Sequence, residues 1–167
     1  MKAVIFVRHA EAVSKDLPLP DRDRPLSEDG RRELALMGPV LAQQAIKPEY
    51  IFSSSANRAA QTATIYASFY GLCASISFHD ELYRASPRSL VDFIRRRDDA
   101  WRSIAIVGHN PELEQAAQSL WGGRFDGTVP TSACICLSFD VERWKEILEN
   151  KGKLEYYEYP GKHRQGD

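Results

Sequence analysis

Short apolar runs alternate with amphipathic stretches along most of this 167-residue chain, and this alternation constrains the fold most strongly. Runs rich in Val, Ile and Phe predict buried strands, and apolar residues at helical spacing predict helices between them. Strands that alternate with helices build a parallel sheet with helices on its faces. We therefore predict an α/β fold: a three-layer α/β/α sandwich around a mostly parallel sheet, in which late edge strands can run antiparallel. The predicted strands are 2–7, 49–53, 74–78, 103–107, 132–139 and 153–159.

Capping residues mark the starts of two predicted helices. Ser27 can accept a hydrogen bond from a first-turn backbone N–H group. Within the helix that follows, Gly38-Pro39 is expected to kink or break it, because Pro lacks a donor and clashes with the preceding turn. Asn110-Pro111 predicts another start, with Asn as N-cap and Pro as the first helical residue. The helix that starts there is predicted to continue over 112–121, and further helices are predicted at 56–70 and 89–97.

Composition favours one ordinary globular domain. We expect residues 1–160 to form that domain and the polar residues 161–167 to form a flexible tail. The formal net charge is −1, so no basic field points to a nucleic-acid partner. The apolar run 3–7 is too short for a signal peptide or a membrane span. A cytoplasmic location is therefore expected.

The cysteines show no spacing typical of a disulfide framework. Cys134 and Cys136 could be a pair of metal ligands, but no second Cys or His pair of suitable spacing accompanies them. Residues two apart lie on one face of a strand. Reduced thiols are therefore expected here.

Charged and polar residues directly follow three of the predicted strands. Arg8 and His9 follow the first, a serine-rich turn and Arg58 follow the second, and His109 follows the fourth. In α/β sheets, ligands bind beyond the carboxyl ends of the strands. Each motif alone is weak, since an Arg-His pair after a strand is usually surface decoration. If the strands are neighbours, however, two arginines and two histidines surround one point.

Such a cluster suits phosphoryl transfer. Guanidinium groups match phosphate oxygens, and a helix N-terminus near Arg58 adds further donors for an anion. Nearby arginines also keep a histidine neutral and therefore nucleophilic. We predict in-line attack by His9 on a phosphoryl group whose oxygens are held by Arg8, Arg58 and His109. Because these groups stabilise the charge, no metal or other cofactor is expected.

These motifs resemble the histidine phosphatase superfamily, which has the phosphoglycerate mutase-like fold. Its Arg-His-Gly signature stands here as Arg8-His9-Ala10, its Ser-rich block with Arg and Gln-Thr as 53–62, and its last block as 107–111. The segment 24–30 is also similar to the family's approach to its first helix. The resemblance implies a phosphate pocket of Arg8, His9, Arg58 and His109, with Asn110 binding substrate beside it and His9 becoming phosphorylated. Ala10 in the glycine position requires a negative φ there.

The resemblance is closest to the SixA-type phosphohistidine phosphatases, because only residues 79–88 separate the third strand from the next helix and leave no room for a large lid. An open pocket implies a phosphorylated substrate carried on another protein, such as a phosphohistidine-bearing domain. Many relatives place a glutamate after the third strand, and Glu81 is the candidate general acid, although Arg84 occupies a position where an acid could be sought. A displaced acid would favour phosphoramidates, because a protonated imidazole leaves readily.

Other functions stay open at this point. A small-molecule phosphomonoesterase or a mutase would use the same groups, but the short lid argues against a mutase, which must shield its intermediate from water. A non-catalytic phosphate-recognition module would need the arginines but not His9. In a metallohydrolase, Arg8 and Arg58 would repel the cation.

Overall fold

A six-stranded sheet forms the centre of the protein in a computed structural model that describes residues 1–73 and 75–164. The strand order is β3-β2-β4-β1-β5-β6. The first four of these are parallel, whereas β5 pairs antiparallel with β1, and β6 antiparallel with β5. The mostly parallel sheet and its late antiparallel strands are confirmed. The strands are β1 (Lys2–Arg8), β2 (Tyr50–Ser54), β3 (Ile76–His79), β4 (Ser103–Gly108), β5 (Cys134–Phe139) and β6 (Lys153–Glu158).

Helices cover both faces of the sheet, as the three-layer prediction requires. Met37 of α1 and Tyr66 of α2 pack with Ile5 and Val7 on one face. The other face carries a larger cluster, in which α3 and α4 bury their apolar residues against Phe6 and its neighbours. The helices are α1 (Glu28–Ala42), α2 (Asn57–Ser68), α3 (Pro87–Arg95) and α4 (Glu112–Trp121).

Two helix predictions need correction. Helix α1 does not break at Gly38-Pro39 but continues to Ala42, and Gly38 packs directly against the Phe69 ring, where a side chain would collide. Pro111 precedes α4 instead of being its first residue. Asn110 still caps that helix, because its side-chain oxygen accepts a hydrogen bond from the Glu114 N–H at 3.2 Å.

The other strand and helix predictions hold within a few residues. Cys134 and Cys136 are buried free thiols on the same face of β5, as expected for a strand. Ala74, where the third strand was predicted to begin, lies outside the described residues. In the predicted tail, Gly161 takes part in a short turn and His163 contacts Glu158 at 2.6 Å, while residues 165–167 lie outside the described residues. Within 1–73 and 75–164, no helix is long and apolar enough to cross a membrane.

Helix α1 holds the chain that follows β1 at close range. A Cβ atom on Gly30 would lie 2.1 Å from the Glu11 carbonyl oxygen, so only glycine allows this approach. One turn further along, the Glu33 carboxylate accepts hydrogen bonds from the Glu11 N–H at 3.0 Å and from the Thr131 hydroxyl at 2.7 Å. This contact ties the chain after β1 to the chain before β5.

We expect Gly30→Ala to lower the free energy of unfolding by about 2 kcal/mol, because the backbone must move to accept the methyl group. Alanine's higher helix propensity offsets part of this cost, by about 1 kcal/mol. Chemical denaturation measures the difference. Arg31→Ala, at the exposed neighbouring position, is the matched control, and equal stability of the two variants would contradict the close contact.

Candidate active site

The carboxyl ends of β1, β4 and β2 lie side by side. Arg8 pairs with Gly108 across β1 and β4, and Ser53 pairs with Val107 across β2 and β4. The residues that follow each strand therefore emerge at the same edge of the sheet. This register brings together His9, His109, Arg8 and Arg58, as the sequence predicted; the rings of His9 and His109 have centroids 5.2 Å apart.

The backbone sets the protonation of His9. Its Nδ1 lies 2.7 Å from the Ala10 carbonyl oxygen. A carbonyl can only accept, so Nδ1 carries the proton and Nε2 keeps a lone pair. Burial, helped by the positive charges of Arg58 and Arg8, lowers the pKa of His9 to about 3. At neutral pH, His9 is therefore an uncharged imidazole with a nucleophilic Nε2.

Ala10 fits where the family signature has glycine. Its φ is not positive, as expected, so the Cβ introduces no strain there. The methyl group is fully buried and packs with Leu26 and Leu34. The Ala10 N–H donates to the Thr62 hydroxyl at 3.0 Å. The side chain at position 10 thus contributes to packing beneath the pocket.

His109 is arranged in the opposite sense from His9. Its Nε2 lies 2.8 Å from the Ser54 hydroxyl, which also accepts a hydrogen bond from the Ala56 N–H at 3.2 Å. The Ser54 hydroxyl is buried and has no other acceptor among the described residues, so it satisfies its own O–H by donating to Nε2, which leaves the imidazole proton on Nδ1. Burial, followed by the charge of Arg58, lowers the pKa of His109 to about 4. His109 thus offers an N–H donor.

Both arginines are anchored through their outer nitrogens. Arg8 donates from Nη1 to the Val129 carbonyl oxygen at 2.6 Å. Arg58, in the first turn of α2, donates from Nη1 to the Asp21 carbonyl oxygen at 2.8 Å and from Nη2 to the Asp21 carboxylate at 3.1 Å. Within the described residues, Arg8 Nε, Arg58 Nε and His109 Nδ1 are buried without a hydrogen-bond partner. Buried polar groups are rarely left unpaired, so these donors indicate an anion site.

The structure shows what the Asn110 side chain contacts. Its amide donates to the Glu114 carboxylate at 2.9 Å and to the Val129 carbonyl oxygen at 3.1 Å. Its oxygen caps α4. The side chain therefore holds the loop that anchors Arg8, a role that the sequence did not predict, and its contact with substrate stays a prediction.

Among the described residues, the Glu81 carboxylate contacts Arg96, and its role as the general acid stays a prediction. The two charged groups lie 3.3 Å apart, and both side chains are more than half exposed. The reason is the tight turn Asp80–Leu82, which buries Leu82 in the core and turns Glu81 toward α3. Tyr83, the next residue after Leu82, approaches His109 instead, with ring centroids 5.6 Å apart.

Sequence reasoning missed Asp21, Tyr83 and Ser54. Asp21 accepts hydrogen bonds from Arg58 and from the Tyr83 hydroxyl, the latter at 2.7 Å. The sequence offered one signal for Asp21: it lies three residues before Arg24, the first residue of the segment 24–30 that resembles the family. Ser54 lay within a block already singled out, but only the structure shows which of its three serines contacts His109.

The described residues contain no group of three or more His, Cys, Asp or Glu side chains arranged to hold a metal ion. What the cluster presents is a neutral nucleophilic nitrogen beside unpaired N–H donors and two guanidinium groups. This combination can bind a tetrahedral oxyanion and attack its central atom.

The low pKa values of His9 and His109 predict a loss of stability in acid. Between pH 6.5 and about 4, these imidazoles take up protons in the unfolded chain but not in the folded one, so the free energy of unfolding falls as pH falls. Each contributes at most about 2 kcal/mol between pH 7 and pH 5. Denaturation at several pH values should show a flatter dependence for His9→Asn.

His163→Asn is the control, since His163 lies outside the pocket and pairs with Glu158. An unchanged slope for His9→Asn between pH 7 and pH 5 would contradict a buried neutral imidazole.

Comparison with known proteins agrees with this geometry. The family model of the histidine phosphatase superfamily (branch 1) matches residues 4–83, a span that contains His9 and Arg58. The uncharacterized protein Rv1276c of Mycobacterium tuberculosis is 32% identical over 111 residues, which are 66% of this chain and 67% of that protein.

Two solved structures share the fold. SixA from Agrobacterium tumefaciens superposes with a TM-score of 0.81 at 25% identity, covering 95% of this chain and 98% of that one. The protein histidine phosphatase SixA complexed with tungstate gives a TM-score of 0.80 at 22% identity, covering 97% and 99%. Motifs, fold and site geometry therefore agree that this chain belongs to the histidine phosphatase superfamily.

Proposed function

We propose that this protein is a metal-independent phosphatase that forms a covalent phosphohistidine on His9 and acts on phosphohistidine carried by a partner protein. One observation carries the proposal: a neutral imidazole, with its lone pair on Nε2, is surrounded by buried N–H donors that have no partner within the described residues. A pocket that only recognised phosphate would need these donors but not the oriented lone pair.

The reaction follows from the roles of these groups. His9 Nε2 attacks phosphorus, the bond from phosphorus to the leaving nitrogen breaks, and its electron pair stays with the leaving group. Arg8, Arg58 and His109 Nδ1–H hold the equatorial oxygens, on which negative charge spreads. Water then attacks phosphorus and loses a proton to solvent, and the electron pair of the second P–N bond returns to Nε2. These hydrogen-bond donors stabilise the negative charge on the equatorial oxygens, as a metal ion does in other phosphatases.

Two features favour a phosphoramidate on a protein. The carboxylate that touches Arg58 is Asp21, and its hydrogen bond from Tyr83, followed by those from Arg24 and Arg58, keeps the pKa of Asp21 well below its ordinary value. Asp21 therefore holds no proton to give at neutral pH. An alkoxide leaving group needs such a proton, whereas an imidazole already protonated by solvent leaves as a neutral ring.

Access to the pocket also favours a protein substrate. The segment between β3 and α3 spans only residues 80–86, which leaves the site without a large cover. An open cleft of about 450 Å³, lined by Asp21 and Tyr83 among others, lies next to the side chains that hold Arg58, although the four pocket residues themselves do not line it. It can receive a side chain that projects from another protein.

The test is phosphatase activity in EDTA against a phosphohistidine-bearing protein domain and against p-nitrophenyl phosphate. We expect turnover that persists in EDTA and falls at least about 1,000-fold in His9→Ala. Alkaline quenching should trap phosphate on His9, since phosphohistidine survives base.

His163→Ala, at a histidine outside the pocket, is the matched control and should retain full activity. Turnover of the ester but not of phosphohistidine would indicate a small-molecule phosphomonoesterase. Phosphate binding with no turnover of either would indicate a recognition module. Activity that disappears with EDTA and returns with added metal would contradict the metal-independent reaction.

A further inference from the structure

The guanidinium group of Arg58 has two edges that can each donate a pair of hydrogen bonds, and the structure holds it by one of them. Its two terminal nitrogens both donate to Asp21, one to the carbonyl oxygen and one to the carboxylate. A guanidinium group can make a second paired contact through Nε and the neighbouring terminal nitrogen. Nε is the buried nitrogen of Arg58 that lacks a partner among the described residues. Asp21 therefore occupies the outer edge and leaves the inner edge for an anion.

Asp21 is itself fixed from two further sides. Arg24 donates to one oxygen of its carboxylate from Nε at 3.1 Å and from Nη2 at 2.8 Å, and the Tyr83 hydroxyl donates to the other at 2.7 Å. Arg24 is buried and anchored to the Val13 carbonyl oxygen at 2.8 Å. All four lone-pair positions of the carboxylate are thus engaged, because Arg58 takes the remaining one.

Tyr83 connects this arrangement to a second pocket residue. Its ring lies edge-on to His109, at 5.6 Å between centroids, and the Arg58 guanidinium lies 6.0 Å from the ring centre. The residues Asp21, Arg24 and Tyr83, which we call the Arg58 clamp, therefore come from two separate loops that meet over the N-terminus of α2.

We propose that Asp21 is a positioning residue for Arg58. Held by Arg24 and Tyr83, it orients the inner edge of Arg58 toward the equatorial oxygens of the phosphoryl group during its transfer. The inference rests on the proposed function, since that function supplies the in-line transfer. Asp21 does not touch the reacting atoms, because its carboxylate is saturated by Arg24, Tyr83 and Arg58.

A role in stability alone is a poor explanation for these contacts. Asp21 balances the charge of Arg58, whose side chain is only 7% exposed, but charge balance alone does not require the additional hydrogen bond from Tyr83 to Asp21. A misdirected guanidinium, in contrast, costs catalysis heavily, since displacement of a catalytic group by about 1 Å can lower the rate about 100-fold. The transition state should therefore suffer more from loss of the clamp than the bound ground state does.

The experiment compares Asp21→Ala, Tyr83→Phe and the double variant. For Asp21→Ala we expect kcat to fall about 30-fold while KM changes less than about threefold. Binding of vanadate, which mimics the five-coordinate transition state, should weaken at least about fivefold more than binding of inorganic phosphate. Tyr83→Phe should give a smaller loss of the same kind.

The double variant should be no worse than Asp21→Ala, because Tyr83 acts through Asp21. Asp23→Ala is the matched control, an exposed carboxylate in the same turn, and should leave kcat unchanged. Thermal unfolding checks that each variant is folded; if Asp21→Ala does not fold, Asp21→Asn replaces it, with a smaller loss expected.

An unchanged kcat, equal weakening of vanadate and phosphate, or additive losses in the double variant would overturn the positioning role. These results are distinct from failure of the proposed function. If the unaltered protein turns over neither substrate, the proposed function fails, while the ratio of vanadate to phosphate affinity still decides whether Asp21 aims Arg58.

Discussion

The site depends on the shared register of three parallel strands. Arg8 lies opposite Gly108, and Ser53 lies opposite Val107, so the residues that follow β1, β4 and β2 emerge together at one edge. Successive side chains in a strand point to opposite faces, so a slip by one residue would exchange the two apolar faces of β1 and turn Arg8 away from its anchor. Because β1 is buried on both faces, the core that stabilises the sheet also fixes the position of the histidine that follows it.

Charge balance explains how two arginines are tolerated side by side. Each has an acidic counterpart behind it: Glu33 and Glu114 lie near Arg8, and Asp21 lies against Arg58. Unpaired buried charges are strongly destabilising, so these carboxylates allow the pocket to fold before it binds an anion. They also leave the inner nitrogens of both guanidinium groups available. The carboxylates therefore balance part of the positive charge of the pocket, while its centre keeps several hydrogen-bond donors.

Much of this arrangement could be predicted from the sequence, because it follows from local signals. Apolar runs gave the strands, and the residues directly after three of them gave His9, His109 and both arginines. What the sequence did not reveal depends on contacts that no pattern encodes. Whether Glu81 or Tyr83 faces the pocket is decided by the burial of Leu82 between them. Asp21 meets Arg58 from a loop without periodicity, 37 residues earlier in the chain.

The two pocket histidines have the same side chain, yet their outer contacts make them chemically unequal. The Ala10 carbonyl oxygen accepts a hydrogen bond from Nδ1 of His9, whereas the Ser54 hydroxyl donates a hydrogen bond to Nε2 of His109. One ring therefore presents a lone pair to the pocket, and the other presents a hydrogen-bond donor. The hydrogen-bond partner of each ring, a backbone carbonyl or a serine hydroxyl, therefore decides which nitrogen carries the proton. Exchanging those two partners would be expected to exchange the roles of the rings without altering either histidine.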